Sequence, residues 1–84
     1  MSGKLKIRNI RKKAMSDLNV ELDKLLNEQN LSLDQLCEIT DINKKVIERW
    51  KSQTGYVDLY FLCRICACFN KKLVIKFKDF TNEK

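Results

Sequence analysis

Two short amphipathic patterns separated by a brief polar break fill the stretch Leu31 to Val57, LSLDQLCEITDINKKVIERWKSQTGYV, and leave few ways to fold it. Ser32 is a good N-cap, and Gln35, three residues on, completes a capping box ahead of apolar Leu36, Cys37 and Ile39. The pattern breaks at Thr40-Asp41, and Ile42 returns as a single apolar residue. Asn43 caps a second helix, in which Val46, Ile47 and Trp50 recur at i, i+1 and i+4. Lys44, Lys45, Glu48, Arg49 and Lys51 fall between them and must point elsewhere. The spacing therefore predicts two short helices joined by a tight turn, the second with a charged outer face.

That is the geometry of a helix-turn-helix, whose second helix is shaped to enter a DNA major groove. The chain around it is one small domain of 84 residues, with no room for a second, catalytic domain. Abundant apolar residues and the absence of proline favour a compact, mainly helical class. No apolar run approaches the roughly 18 residues that span a membrane. The basic N-terminus has no apolar signal core behind it, so the expected location is cytoplasmic.

The net charge of +6 is unevenly placed. Residues 1–13 hold Lys4, Lys6, Arg8, Arg11, Lys12 and Lys13 and no acid, whereas residues 14–84 are balanced. The excess resides in a basic N-terminal arm, expected to be flexible, that suits phosphates, RNA or an anionic membrane. A solvated tail with no target is the plainer alternative.

Four cysteines, Cys37, Cys63, Cys66 and Cys68, are expected to be reduced thiols. Together they have the number of thiolates for a zinc site. The three clustered ones, however, sit mid-helix rather than on a knuckle, and Cys37 and Cys66 fall at core-facing positions, where cysteine acts as a small hydrophobe. No metal and no cofactor is expected. Cys68 is expected to be the most exposed thiol.

Before the motif, Ala14 to Asn30 reads as a first helix capped by Ser16, with Leu18, Leu22, Leu25 and Leu26 as its buried stripe and Met15 and Val20 at its margins. After it, Ser52 to Tyr56 reads as a loop around Gly55. Asp58 caps a fourth helix through Phe69, with Leu59, Leu62, Ile65, Cys66 and Phe69 facing the core. Tyr60, Phe61 and Arg64 lie off that face, and the two aromatics either form an interface or cover the edge of a small core. Leu73, Val74, Ile75, Lys76, Phe77 and Lys78 alternate and read as a strand. A lone strand asks for a partner, most simply the same strand of a second copy, unless the segment packs on the helices as an extended tail. Asp79 to Lys84 is a polar end.

From about Val20 to Phe77 the chain resembles the Xre, or Cro/cI, family of lambda-repressor-like helix-turn-helix domains. Leu31-Ser32 with Leu36-Cys37 matches the opening of that motif, and Thr40-Asp41-Ile42-Asn43 matches its turn. Ile47 and Trp50 match the end of its recognition helix, and Leu59, Leu62, Ile65, Cys66, Phe69 and Asn70 match its fourth helix. The tail from Leu73 to Phe77 is similar to the antitoxin-like branch, where a terminal strand takes the place of a fifth helix. The resemblance implies about four helices with a C-terminal β-strand, and sequence-specific binding of double-stranded DNA by a homodimer. It places groove-facing residues at Asn43, Lys44, Lys45, Glu48 and Arg49, with Ser32 and Lys51 near the phosphate backbone. Departures from the family pattern are Cys37 for alanine, Asp41 and Gln53 for glycine, Leu33 for a phosphate-clamping glutamine, Lys51 for glutamate and Val57 for proline.

Two functions follow as expectations. The first is a transcriptional regulator on a palindromic operator. The alternative, motivated by Leu33 and the altered loop, is an antitoxin-type or other protein-interaction module with weak or no specific DNA binding and a toxin or other protein partner. An enzyme is not expected, nor is a small-molecule substrate. Histidine is absent, and no nucleophile beside a base or glycine-rich phosphate loop is present.

Overall fold

The computed structural model describes residues 3–78, and these form four helices, α1 (Gly3–Gln29), α2 (Leu33–Thr40), α3 (Lys44–Lys51) and α4 (Leu59–Cys68). Both motif helices begin as the sequence requires. Ser32 and Gln35 form a reciprocal capping box at α2, and the Asn43 side chain accepts from the Lys45 amide at α3. Asp58 does the same for α4 through the Tyr60 amide. Each cap satisfies an amide that the first helical turn leaves without a partner.

α1 corrects the expected boundary. It starts at Gly3 rather than Ala14, so residues 3–13 are helical and Ser16 sits exposed inside the helix instead of capping it. The reason is local. Between Lys4 and Ala14 stand lysines, arginines, leucine, isoleucines, alanine and a single asparagine, Asn9, with no glycine or proline to stop propagation, and a cap residue does not start a helix that is already running.

All four helices end in the same manner, on a non-glycine residue in the left-handed region: Asn30, Asp41, Gln53 and Asn70, with φ of 56°, 58°, 62° and 55°. After each of them the next amide reaches back across the last turn: Leu31 N to Leu26 O at 2.9 Å, Ile42 N to Cys37 O at 3.1 Å, Thr54 N to Arg49 O at 2.9 Å and Lys71 N to Cys66 O at 2.8 Å. These are Schellman closures, for which glycine is the usual residue. Asparagine and aspartate tolerate that backbone well, while glutamine adopts it less readily.

The core centres on Trp50, Leu36 and Ile47, all fully buried, with Met15, Leu22 and Leu25 from α1, Cys37 from α2, Ile42 from the turn and Ile65 from α4 around them. The Trp50 indole N–H donates to the Tyr56 carbonyl at 3.3 Å, so burying the ring leaves no donor unmet. Two side chains of α4 trade places relative to expectation. Leu59, assigned to the core, is 54% exposed, whereas Phe61, assigned to the surface, packs against the core. Phe61, Ile65 and Phe69 repeat at i, i+4 and i+8, which makes them the inward line, and Leu59 sits in the first turn at the open end.

Beyond α4, residues 71–78 are neither helix nor strand, and no strand occurs among the described residues. Lys71 pairs with Glu28 at 2.8 Å and Leu73 is half-buried, but Val74, Ile75 and Phe77 stand 62%, 64% and 99% exposed. Among the described residues this segment has no second strand to pair with, so its backbone groups are not satisfied as a sheet. The polar end, 79–84, lies outside the described residues.

Candidate nucleic-acid interface

The candidate surface is the outer face of α3. Ile47 and Trp50 anchor one side of the helix in the core and Val46 packs beside them, which forces Lys44, Lys45, Glu48 and Arg49 outward. Asn43 stands exposed at the head of the same helix. Its Oδ1 is used in the cap at 2.9 Å from the Lys45 amide, so the donor capacity of the side chain rests with its NH2 group.

The flanks of α3 differ. Lys44 pairs with Asp34 of α2 at 2.8 Å, and Lys51, one heptad on, pairs with Asp23 of α1 at 2.5 Å. The hydrogen bond and charge of Asp34 hold the Lys44 ammonium above the usual lysine range. Both pairs are solvent-accessible and therefore weak, so a phosphate can exchange for either carboxylate. Lys51 is half-buried and turned toward α1, which separates it from the group formed by Asn43, Lys44, Lys45, Glu48 and Arg49. Ser32 lies at the start of α2, and its hydroxyl accepts from the Gln35 amide at 3.2 Å. What that helix end can offer an anion is chiefly its first backbone amides.

Arg64 and Gly55, outside the expected set, and Arg11, expected only as part of the basic arm, also shape this surface. Arg64 of α4 donates from Nη1 to the Asp41 carbonyl at 3.0 Å and lies at 3.4 Å from that of Thr40, with its guanidinium 4.9 Å from the Tyr60 ring centre and 5.5 Å from that of Phe61. It thereby fastens the carbonyl-rich end of α2 and the turn that aims α3. Arg11 of α1 donates to the Gly55 carbonyl and lies 6.0 Å from the centre of the Tyr56 ring, which is itself 92% exposed. Gly55 takes a φ of 73°, and a Cβ there would meet the Arg49 side chain at 3.5 Å. Arg11 and Arg49 thus approach the same loop residue from α1 and α3. No local pattern marks Arg64 or Arg11 for these contacts, since their partners lie 23 and 44 residues away.

The thiols divide as Cys37 buried, Cys66 half-buried, and Cys63 and Cys68 both exposed. Burial pushes the Cys37 and Cys66 thiols up. Among the described residues no group of three or more histidine, cysteine, aspartate or glutamate side chains is placed to hold a metal ion. No helix among them is long and apolar enough to cross a membrane.

The sequence model of the Cro/C1-type HTH DNA-binding domain matches residues 21–73, more than half of the chain. The match takes in α2, α3, α4 and the C-terminal part of α1, and it stops short of the basic first half of α1. Comparison with curated proteins and with solved structures finds no match.

Proposed function

The chain belongs to the Cro/C1-type helix-turn-helix DNA-binding family, and on that premise we propose that it is a sequence-specific transcriptional regulator acting as a homodimer on a palindromic operator. The observation that carries the reading is the division of α3 into two faces. Fully buried Ile47 and Trp50 fix the helix to the core, and Asn43, Lys44, Lys45, Glu48 and Arg49 project from its other side. A helix held this way presents side chains to base edges at a set height. Lys44 and Arg49 suit the O6 and N7 acceptors of guanine, and Glu48 suits the N4 donor of cytosine. The first amides of α2, with Lys51 once it leaves Asp23, suit the phosphate backbone.

The dimer rests on the tail. Val74, Ile75 and Phe77 are exposed apolar side chains on a segment without helix or strand, and Leu73 and Val74 line the groove between α1 and α4. Pairing of residues 73–78 with the same segment of a second copy satisfies the backbone groups and covers those side chains, as in the antitoxin-like branch that the sequence resembles. The protein works in the cytoplasm as a binding protein, with no catalytic step, cofactor or small-molecule substrate in this reading.

A second reading is favoured by Tyr60, 63% exposed beside Arg64, and by the carboxylates that already hold Lys44 and Lys51. In it the fold serves as an antitoxin-type or other protein-interaction module. Selection of bound sequences from a random duplex pool separates the two. A recovered palindrome with half-sites about one helical turn apart, ~34 Å, supports the regulator. No enrichment above background, with a folded protein, moves the assignment to the interaction module.

A further inference from the structure

The first half of α1 lies outside the residues matched by the family and is the most basic part of the chain. It is a continuous helix anchored to the body at one corner. Going backwards along α1, Asp23 meets Lys51, Asn19 donates to the Trp50 carbonyl at 3.0 Å, and Arg11 donates to the Gly55 carbonyl. Residues 3–10 then continue past that loop for about 12 Å at 1.5 Å per residue.

The direction of the charge follows from the helical repeat. Asn19 and Met15 lie on the side of α1 turned to the body, and the same side continues toward the N-terminus as Lys12, Arg11, Arg8 and Lys4, at the i, i+4, i+7 and i+8 spacing of one face. The overhang therefore turns a row of cations to the side on which α3 and its loop lie. Arg11 shares Gly55 with Arg49, so the row begins beside the outer face of α3. Exposed Tyr56 stands between them with its ring under the Arg11 guanidinium.

The row also sits against the intrinsic field of its own helix. The first turn of α1 contains no acid, and Lys4 and Lys6 stand at the positive end of the dipole, where cations are unfavourable and an anion relieves them. A line of cations on one helical face suits a ligand with negative charges at regular intervals, and the duplex backbone is such a ligand.

We propose that the N-terminal half of α1 is a helical outrigger that lies along the DNA phosphate backbone beyond the half-site occupied by α3, with Lys4, Arg8 and Lys12 as its phosphate-facing residues and Arg11–Gly55–Tyr56 as its anchor. The proposal rests on the DNA-binding reading of α3 and extends its footprint with sequence-independent contacts. It does not add base preference.

The test compares the full chain with the triple variant Lys4→Gln, Arg8→Gln, Lys12→Gln, which leaves the Arg11 anchor in place. Binding to a random-sequence 30-base-pair duplex is titrated at several salt concentrations, with circular dichroism as the check on helix content. Each phosphate contact contributes about 0.9 to the slope of log K against log salt, so the variant is expected to lower the slope by about 2 to 3. Full-chain binding should also weaken on a duplex trimmed to the α3 footprint, and the variant should not sense the trimming. An unchanged slope with binding intact overturns the outrigger and leaves the DNA-binding reading standing. Failure of the full chain to bind any duplex overturns both. Capture of the full chain by phosphatidylserine vesicles, with the duplex slope unaltered by the variant, assigns the basic row to a membrane surface instead.

Discussion

Between Ser32 and Gln53 each helix terminus has a cap within a few residues, whereas the contacts that tie residues 3–13 and 71–78 to the body reach across the fold and leave several apolar side chains in water. In the middle segment the capping box, the Asn43 cap and the left-handed residues Asp41 and Gln53 close each helix locally. Even the buried Thr40 returns its hydroxyl to the Leu36 carbonyl at 2.7 Å. At the ends, Arg11 reaches Gly55 and Lys71 reaches Glu28, while Leu5, Ile7, Ile10, Ile75 and Phe77 remain at least half exposed. The contrast separates two kinds of work. In the proposed reading the middle holds the DNA-facing surface in place, and the ends supply the dimer contact and the phosphate contacts.

The largest test of this contrast is Trp50→Ala. The indole is fully buried at the centre of the core, so its removal is expected to cost about 3–5 kcal/mol and to unfold the domain or loosen it severely. Thermal melting measures this, and an unchanged midpoint would break the view that α3 is held from behind by its apolar face. Next comes Arg49→Ala, with an expected loss of about 1–3 kcal/mol in specific binding and relaxed preference at one base pair. Equal losses on selected and random duplexes would convert Arg49 from a base reader to a phosphate contact.

A smaller effect distinguishes local strain from packing. Gln53→Gly places the usual residue at a φ of 62° and is expected to stabilise the domain by about 1 kcal/mol in urea unfolding. A loss of stability would mean that the half-buried Gln53 side chain contributes more than its backbone costs. The smallest effect on folding is expected from Phe77→Ser. This side chain is 99% exposed, so monomer stability should change by less than about 0.5 kcal/mol, while the dimer fraction in sedimentation should fall. Unaltered sedimentation would remove the tail from the dimer and leave the middle segment untouched.

Much of the fold was legible because its signals are short-range. The caps at Ser32, Asn43 and Asp58, the apolar set Leu36, Ile42, Ile47 and Trp50, and the outward charges of α3 all follow from spacings of a few residues. The misplaced start of α1 shows the limit of that logic. Ser16 has the chemistry of a cap, but a cap matters only where the preceding residues leave the helix, and these do not. The exchange of Leu59 and Phe61 shows another limit, since periodicity on a ten-residue helix admits neighbouring stripes and only the packing of α4 on α2 chooses between them.

The sequence by itself determined that two short helices would meet at a tight turn, that Trp50 would face inward, and that Asn43, Lys44, Lys45, Glu48 and Arg49 would face outward. These outcomes depend on caps and on the 3.6-residue repeat, which act over a turn or two of chain. Only the tertiary structure decided that Arg64 would hold the Asp41 turn, that Asp34 and Asp23 would engage Lys44 and Lys51, and that Arg11 would seat the basic helix beside Arg49. Those partners are brought within hydrogen-bonding distance by the packing of α1, α2, α3 and α4 around Trp50, and a charged side chain carries no local mark of which distant carbonyl or carboxylate the packing will set in front of it.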